Sequence, residues 1–222
     1  GPPGTFTFFS NAHEPGDHVL LGKIYKANGV EQGRRALKDI ASHQSTAKLI
    51  ANKFVAHFVS DDPPKGLVAR LADVFIKTDG DLKALSLALI KDDEAWVAPF
   101  TKMRTPHEFL IAATRLIGRS PEDPGRINGG AALLGQPIWQ PAGPNGYSDA
   151  SVHWASAEGV KLRLEISSDI ANRLGDAMNA VDLAEVAFGS ALSQDTRMTI
   201  GRAESKKQAL ALLLMSPEFQ RR

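Results

Sequence analysis

Four side chains of types that bind metal ions stand close together near the start of the sequence. His13, Glu14, Asp17 and His18 fall within six residues, and imidazole with carboxylate is a ligand set that suits zinc or a similar divalent ion. The Pro-Gly pair between them makes a turn, and the helical i, i+4 histidine pair of zinc proteases is absent. Two interpretations follow: a divalent-metal site, or a turn that Asp17 or Asn11 caps while His13 hydrogen-bonds to a neighbouring helix.

A second group of candidate residues lies in a stretch rich in proline and glycine, residues 136–154. Trp139, Tyr147, His153 and Trp154 are candidate ligand-binding residues, because exposed aromatic faces on a loop stack on sugar rings or hold a peptide. The alternative is structural. Ordering a loop costs on the order of 1 to 2 kcal/mol per residue, and burying large rings offsets that cost. We therefore predict an ordered loop that is pinned by both tryptophans.

Recognised catalytic sets are not found in the sequence. Ser45 and Lys48 spell the S-x-x-K string of penicillin-binding enzymes, but its companion motifs are missing. There is no nucleophile elbow, phosphate-binding loop or dinucleotide fingerprint. His43 and Ser45 are better explained as residues that satisfy backbone donors at a helix start. The sequence therefore favours a protein that is not an enzyme.

Hydrophobic periodicity divides the chain into a short β-rich beginning and a long helical remainder. Residues 5–9 and 18–25 are rich in aromatic and β-branched side chains, which predicts a β-hairpin across the turn-rich stretch between them. From residue 31 onward, apolar residues recur at three and four positions, as on one face of a helix. The alternation at 160–166 also suits a strand, and we predict helix there.

The helical pattern predicts a mainly α fold: a compact multi-helix orthogonal bundle with a small N-terminal β-hairpin. Thr105 and Glu108 form a capping-box pattern at one helix start. Eight residues on helical apolar stripes are predicted to be buried: Phe54, Phe58, Leu71, Phe75, Leu85, Phe109, Leu116 and Leu213. We expect one domain, 1–222, made of a hairpin region (1–30), a first helical group (31–135), the Pro/Gly/Trp loop (136–154) and a second helical group (155–222).

Composition limits the possible partners and compartments. The 222 residues carry 26 basic and 25 acidic side chains, and we find no block of five or more like charges, so we predict no nucleic-acid partner. The longest apolar run, 209–215, is far short of the roughly 20 residues of a membrane-spanning helix, which predicts a soluble domain. The absence of cysteine excludes disulfides and thiolate metal sites but leaves the compartment open.

Several strings, in order along the chain, resemble the bacterial family catalogued as domain of unknown function 1800. They are residues 13–16 (HEPG) with 21–22 (LG), 43–47 (HQSTA), 58–64 (FVSDDPP), 135–141 (GQPIWQP), 146–147 (GY), Trp154 and 216–220 (SPEFQ). His43, Asp61 and Asp62 thus stand at motif positions. Glu14 and His18 depart from the family pattern, which usually has Asp and Lys there.

The resemblance implies a bacterial, exported or periplasmic protein without an assigned activity, and a chain that is the C-terminal part of a longer one. Its partner is unknown; the absent N-terminal half or another exported protein is one expectation. We therefore expect a non-enzymatic binding or scaffold module without a cofactor. The alternative is a metal-dependent hydrolase in which His13, Asp17 and His18 hold an ion that activates water.

Overall fold

The structure is a computed structural model that describes residues 3–97, 101–119 and 123–222. It is mainly α-helical with one small β-hairpin, as predicted. The hairpin consists of β1 (His18–Leu20) and β2 (Lys23–Tyr25). The helices are α1 (Val30–Ala41), α2 (Gln44–Phe58), α3 (Lys65–Lys77), α4 (Leu82–Lys91), α5 (Glu94–Val97), α6 (Pro106–Leu116), α7 (Gly125–Leu133), α8 (Ala157–Leu174), α9 (Ala180–Phe188), α10 (Gln194–Gly201), α11 (Lys206–Met215) and α12 (Pro217–Gln220).

The hairpin forms within residues 18–25 alone. His18 pairs with Tyr25 in the antiparallel register, and the connecting Leu21 and Gly22 have φ values of 50° and 76°, as a two-residue type I′ turn requires. Residues 5–9 lie outside any strand, so the prediction that they pair with 18–25 is wrong. A tight turn closes a shorter loop than the predicted one, and the shorter loop loses less chain entropy.

Contacts divide the chain into two units. The first comprises Gly1–Val55 and Pro63–Trp96, and the second comprises Ala56–Asp62 and Val97–Arg222. Whether the units unfold together is a separate property, so the single domain stays a prediction.

The core of the first unit lies where α3 packs against α4. Leu71, Phe75 and Leu85 are buried, as predicted. The prediction fails on α2, where Phe54 is only half-buried and Phe58 is 54% exposed. The buried face of that helix consists of smaller side chains one position along: Ala47, Ala51 and Val55.

The core of the second unit surrounds α11, which packs against α8, α9, α10 and α12. Leu213 and Phe109 are fully buried there, as predicted, whereas Leu116 is half-buried at the edge of the cluster. Residues 160–166 are helical within α8, which confirms the helix predicted there from the sequence. Gly130 of α7 allows a close approach to the side chain of Leu110, because a Cβ at this position would lie 3.0 Å from Leu110 Cδ1.

Two further sequence predictions concern helix ends and membrane spans. The capping box is confirmed: Glu108 N donates to Thr105 Oγ1 at 3.4 Å, and Thr105 N donates to Glu108 Oε2 at 2.9 Å. Within the described ranges, no helix has the length and apolar character needed to cross a membrane.

Candidate functional site

The loop 136–154 is fixed at its start by a side chain that reaches another helix. Gln136 follows α7, and its Oε1 accepts a hydrogen bond of 2.9 Å from the backbone nitrogen of His107, in the first turn of α6. Its own backbone nitrogen donates to the carbonyl oxygen of Ala131 at 2.7 Å. One residue therefore satisfies an N-terminal donor of α6 and a C-terminal acceptor of α7.

The middle of the loop is held by two aromatic side chains. Trp154 is only 7% exposed, and its Nε1 donates to the carbonyl oxygen of Ser148 at 3.2 Å. The half-buried Tyr147 donates its hydroxyl hydrogen to the carbonyl oxygen of Pro137. Trp154 is thus buried, as the structural interpretation of the loop predicts, and Tyr147 serves as the second internal tie.

The far end of the loop is tied by a buried lysine. Lys102 is 3% exposed, and its Nζ donates to Asp61 Oδ1 at 2.6 Å and to the carbonyl oxygen of Asp149 at 2.8 Å. Asp61 Oδ2 accepts from the backbone nitrogen of Ser151 at 2.9 Å. Burial raises the pKa of Asp61, but the hydrogen bonds from Lys102 and Ser151 outweigh it and hold the pKa below its usual value.

Trp139 differs from the other large residues of the loop. Its side chain is 94% exposed, so the prediction that both tryptophans are buried is wrong for Trp139. The loop is ordered instead by Tyr147 and by the bonds at its two ends. The φ of Trp139 is 58°, a left-handed conformation that costs a non-glycine residue on the order of 1 to 3 kcal/mol.

An open groove of about 570 Å³ runs beside this loop. We name it the Trp139 groove, after the exposed residue that lies in sequence between two of its lining residues, Pro137 and Gln140. Its apolar lining includes Pro137, Tyr147 and Trp154, and its polar lining includes Gln140, His153 and Glu158. Three of the four predicted ligand-binding residues therefore line one groove. The fourth, Trp139, is not a lining residue but belongs to the segment that supplies Pro137 and Gln140 to the lining.

The side chains at residues 13–18 make separate contacts. Asp17 Oδ2 accepts from Lys26 Nζ at 2.6 Å and Asp17 Oδ1 from the backbone nitrogen of Ala27 at 2.9 Å, and the bond from Lys26 lowers the Asp17 pKa. His18 Nε2 contacts the carbonyl oxygen of Glu14. His13 packs on Phe8, with ring centroids 5.3 Å apart. Among the described residues, no group of three or more such side chains is placed to hold an ion.

The motif residues elsewhere serve local structure. His43 Nδ1 accepts a hydrogen bond of 3.1 Å from the backbone nitrogen of Ser45 at the start of α2, as expected for a capping residue. The backbone nitrogen of Asp62 donates to Ser60 Oγ. Glu108 adds an ion pair with Arg222 to its capping role. Asp61 holds Lys102 and the loop.

Sequence reasoning missed the buried cations Lys102 and Arg163. Arg163 is 1% exposed; its Nη1 and Nη2 donate to Gln220 Oε1 and to the carbonyl oxygen of Arg104 at 2.9 and 2.7 Å. Its guanidinium carbon lies 4.9 Å from the centroid of the Phe109 ring, and burial lowers its pKa to about 10. No local pattern marks it, since a basic residue on a helix is usually exposed.

The comparison with protein families identifies the chain. Residues 1–221 match the family model described as protein of unknown function (DUF1800). Neither the curated proteins nor the solved structures contain a significant match. Since the family match covers nearly the whole chain, the protein belongs to the DUF1800 family of proteins of unknown function.

Proposed function

We propose that this chain is a non-enzymatic binding module of an exported protein and that it takes its ligand at the Trp139 groove. The supporting observation is the 94% exposure of Trp139 on a loop whose other parts are fixed. An exposed indole on a fixed loop offers a ligand a large, rigid apolar face. A fixed loop also loses little entropy when it binds, which favours affinity.

The alternative, a metal-dependent hydrolase, has no comparable observation in its favour. Both carboxylate oxygens of Asp17 already accept hydrogen bonds from Lys26 and Ala27, and a metal would have to displace them. The exported location and the protein partner rest on the family resemblance alone.

Arrays of immobilised glycans and peptides test the proposal. Fluorescently labelled protein is applied as wild type, as Trp139→Ala and as Trp96→Ala. Trp96 is a matched control, because it is also largely exposed but belongs to the first unit. We expect ligands that bind the wild type and Trp96→Ala but not Trp139→Ala.

Two outcomes would contradict the proposal. Equal binding by Trp139→Ala would place the ligand elsewhere, and an array without ligands would remove the binding role. Mass spectrometry of the ligand after incubation tests the absence of catalysis, because a binding module returns its ligand unchanged.

A further inference from the structure

We infer that the ligand of the Trp139 groove is a neutral saccharide, one of whose rings stacks on the Trp139 indole. This inference rests on the binding role proposed above and adds the chemical class of the ligand. It depends on three observations: the open ring of Trp139 in the segment that borders the groove, polar side chains in the lining without assigned hydrogen bonds, and a lining without lysine or arginine.

The open ring suits a flat partner. Compact apolar groups are usually bound in pockets that enclose most of their surface, whereas the Trp139 side chain is 94% exposed. A pyranose ring presents a face of C–H groups that covers an indole from one side, and its hydroxyl groups stay at the edge of the ring. Such stacking needs no enclosing wall.

The polar lining suits hydroxyl groups. Gln140, His153 and Glu158 line the groove and are exposed, and no hydrogen bond to their side chains is found among the described residues. Amide, imidazole and carboxylate groups together offer donors and acceptors, and each sugar hydroxyl both donates and accepts. These side chains can therefore bond the hydroxyls of a saccharide that extends from Trp139 into the groove.

The charges of the groove disfavour an anionic ligand. None of its lining residues is lysine or arginine, and Glu158 contributes a carboxylate. Recognition of phosphate or carboxylate groups relies on cationic side chains, arginine above all. A neutral polyhydroxyl compound meets no repulsion in this groove.

A proline-rich peptide fits the groove less well. Peptides in the polyproline conformation dock on surfaces lined by several aromatic residues. Here Trp139 alone is a largely exposed ring among the tyrosine and tryptophan residues of the loop, because Trp154 is buried and Tyr147 is half-buried with its hydroxyl bonded to Pro137. A single open ring matches a single sugar ring.

Titration of the whole chain with defined probes tests the inference. The probes are cellohexaose, chitohexaose, xylohexaose and maltohexaose, with decaproline as the peptide comparison, and binding is followed by calorimetry. We expect at least one hexasaccharide to bind wild type and Trp96→Ala equally. Trp139→Ala should weaken that binding by more than about tenfold, and Trp139→Phe, which keeps a ring, by less.

Circular dichroism and the melting temperature establish that each variant is folded. Binding of none of the four hexasaccharides overturns the saccharide assignment. If decaproline then binds in a manner that depends on Trp139, the proposed binding role stands without the saccharide. If no probe binds, the saccharide assignment is overturned and the arrays decide the binding role. If binding is unaffected in Trp139→Ala, both are overturned.

Discussion

The rings of Tyr147 and Trp154 lie 6.3 Å apart at an interplanar angle of 55°. Trp154 is buried, and the hydroxyl of Tyr147 reaches the carbonyl oxygen of Pro137, two residues before Trp139. These contacts therefore connect the buried ring of Trp154, through Tyr147, to the backbone near the exposed Trp139. This arrangement separates two roles within one loop: Trp154 and Tyr147 stabilise it, and Trp139 is left open.

The first prediction compares the two tryptophans of the loop. Trp154→Ala should lower the free energy of unfolding by about 3 to 5 kcal/mol, because it removes a large buried ring. Trp139→Ala should change it by less than about 0.5 kcal/mol, as is usual for exposed positions. Urea unfolding of both variants measures the difference. Similar losses in the two would show that Trp139 is also a structural anchor.

The second prediction concerns the tie between Tyr147 and Pro137. Tyr147→Phe keeps the ring and removes the hydroxyl, so the loss should be about 1 kcal/mol, typical of one hydrogen bond. Urea unfolding measures the loss of stability. A variant as stable as the wild type would mean that this hydrogen bond does not hold the loop.

The third prediction concerns the carboxylate that pairs with buried Lys102. Asp61→Asn should destabilise the protein by about 1.5 to 3 kcal/mol, the range for hydrogen bonds to charged groups. Asp62→Asn is the matched control, since only the backbone nitrogen of Asp62 has an assigned hydrogen bond among the described residues. It should stay within about 0.5 kcal/mol of the wild type. Equal effects of the two substitutions would contradict the assigned role of Asp61.

The fourth prediction is the pH dependence of that contribution. The pKa of Asp61 is lower in the folded protein than its usual 3.8, so the unfolded chain binds the proton more tightly. The stabilisation is therefore complete above about pH 5 and is lost as the pH falls through the folded pKa. The difference in unfolding free energy between wild type and Asp61→Asn should shrink below pH 3.8. A difference that stays constant down to pH 2 would contradict this sign.

The fifth prediction concerns the hairpin turn. Leu21 is exposed and has a φ of 50°, a conformation that asparagine tolerates better than leucine. Leu21→Asn should raise the melting temperature, with a gain of about 1 kcal/mol. Leu21→Ala is the control, because it removes the same side chain without the local tolerance of asparagine. If alanine stabilises as much as asparagine, relief of backbone strain is not the cause.

Features that depend on nearby residues could be predicted from the sequence. The capping box of Thr105 and Glu108 spans four residues. The helix at 160–166 was also predicted, although the local pattern suits a strand as well. In each case the deciding interactions lie within one or two turns of the chain.

Features that depend on distant contacts could not be predicted in the same way. Phe58 shares the helical spacing of α2, but its exposure depends on how that helix is rotated against its neighbours. For the candidate site, composition identified the loop but did not distinguish the exposed Trp139 from the buried Trp154. The buried Lys102 donates hydrogen bonds to Asp61 and Asp149, and neither of them is its neighbour in sequence.

The ties at Lys102 also set an order of events during synthesis. Asp61 is made 41 residues before Lys102 and 90 residues before Ser151. At typical translation speeds of roughly 5 to 20 residues per second, Ser151 is synthesised about 5 to 18 s after Asp61. The segment Ala56–Asp62 therefore emerges from the ribosome well before the rest of the second unit. The loop that carries Trp139 is completed only when that early segment has been joined to a late one.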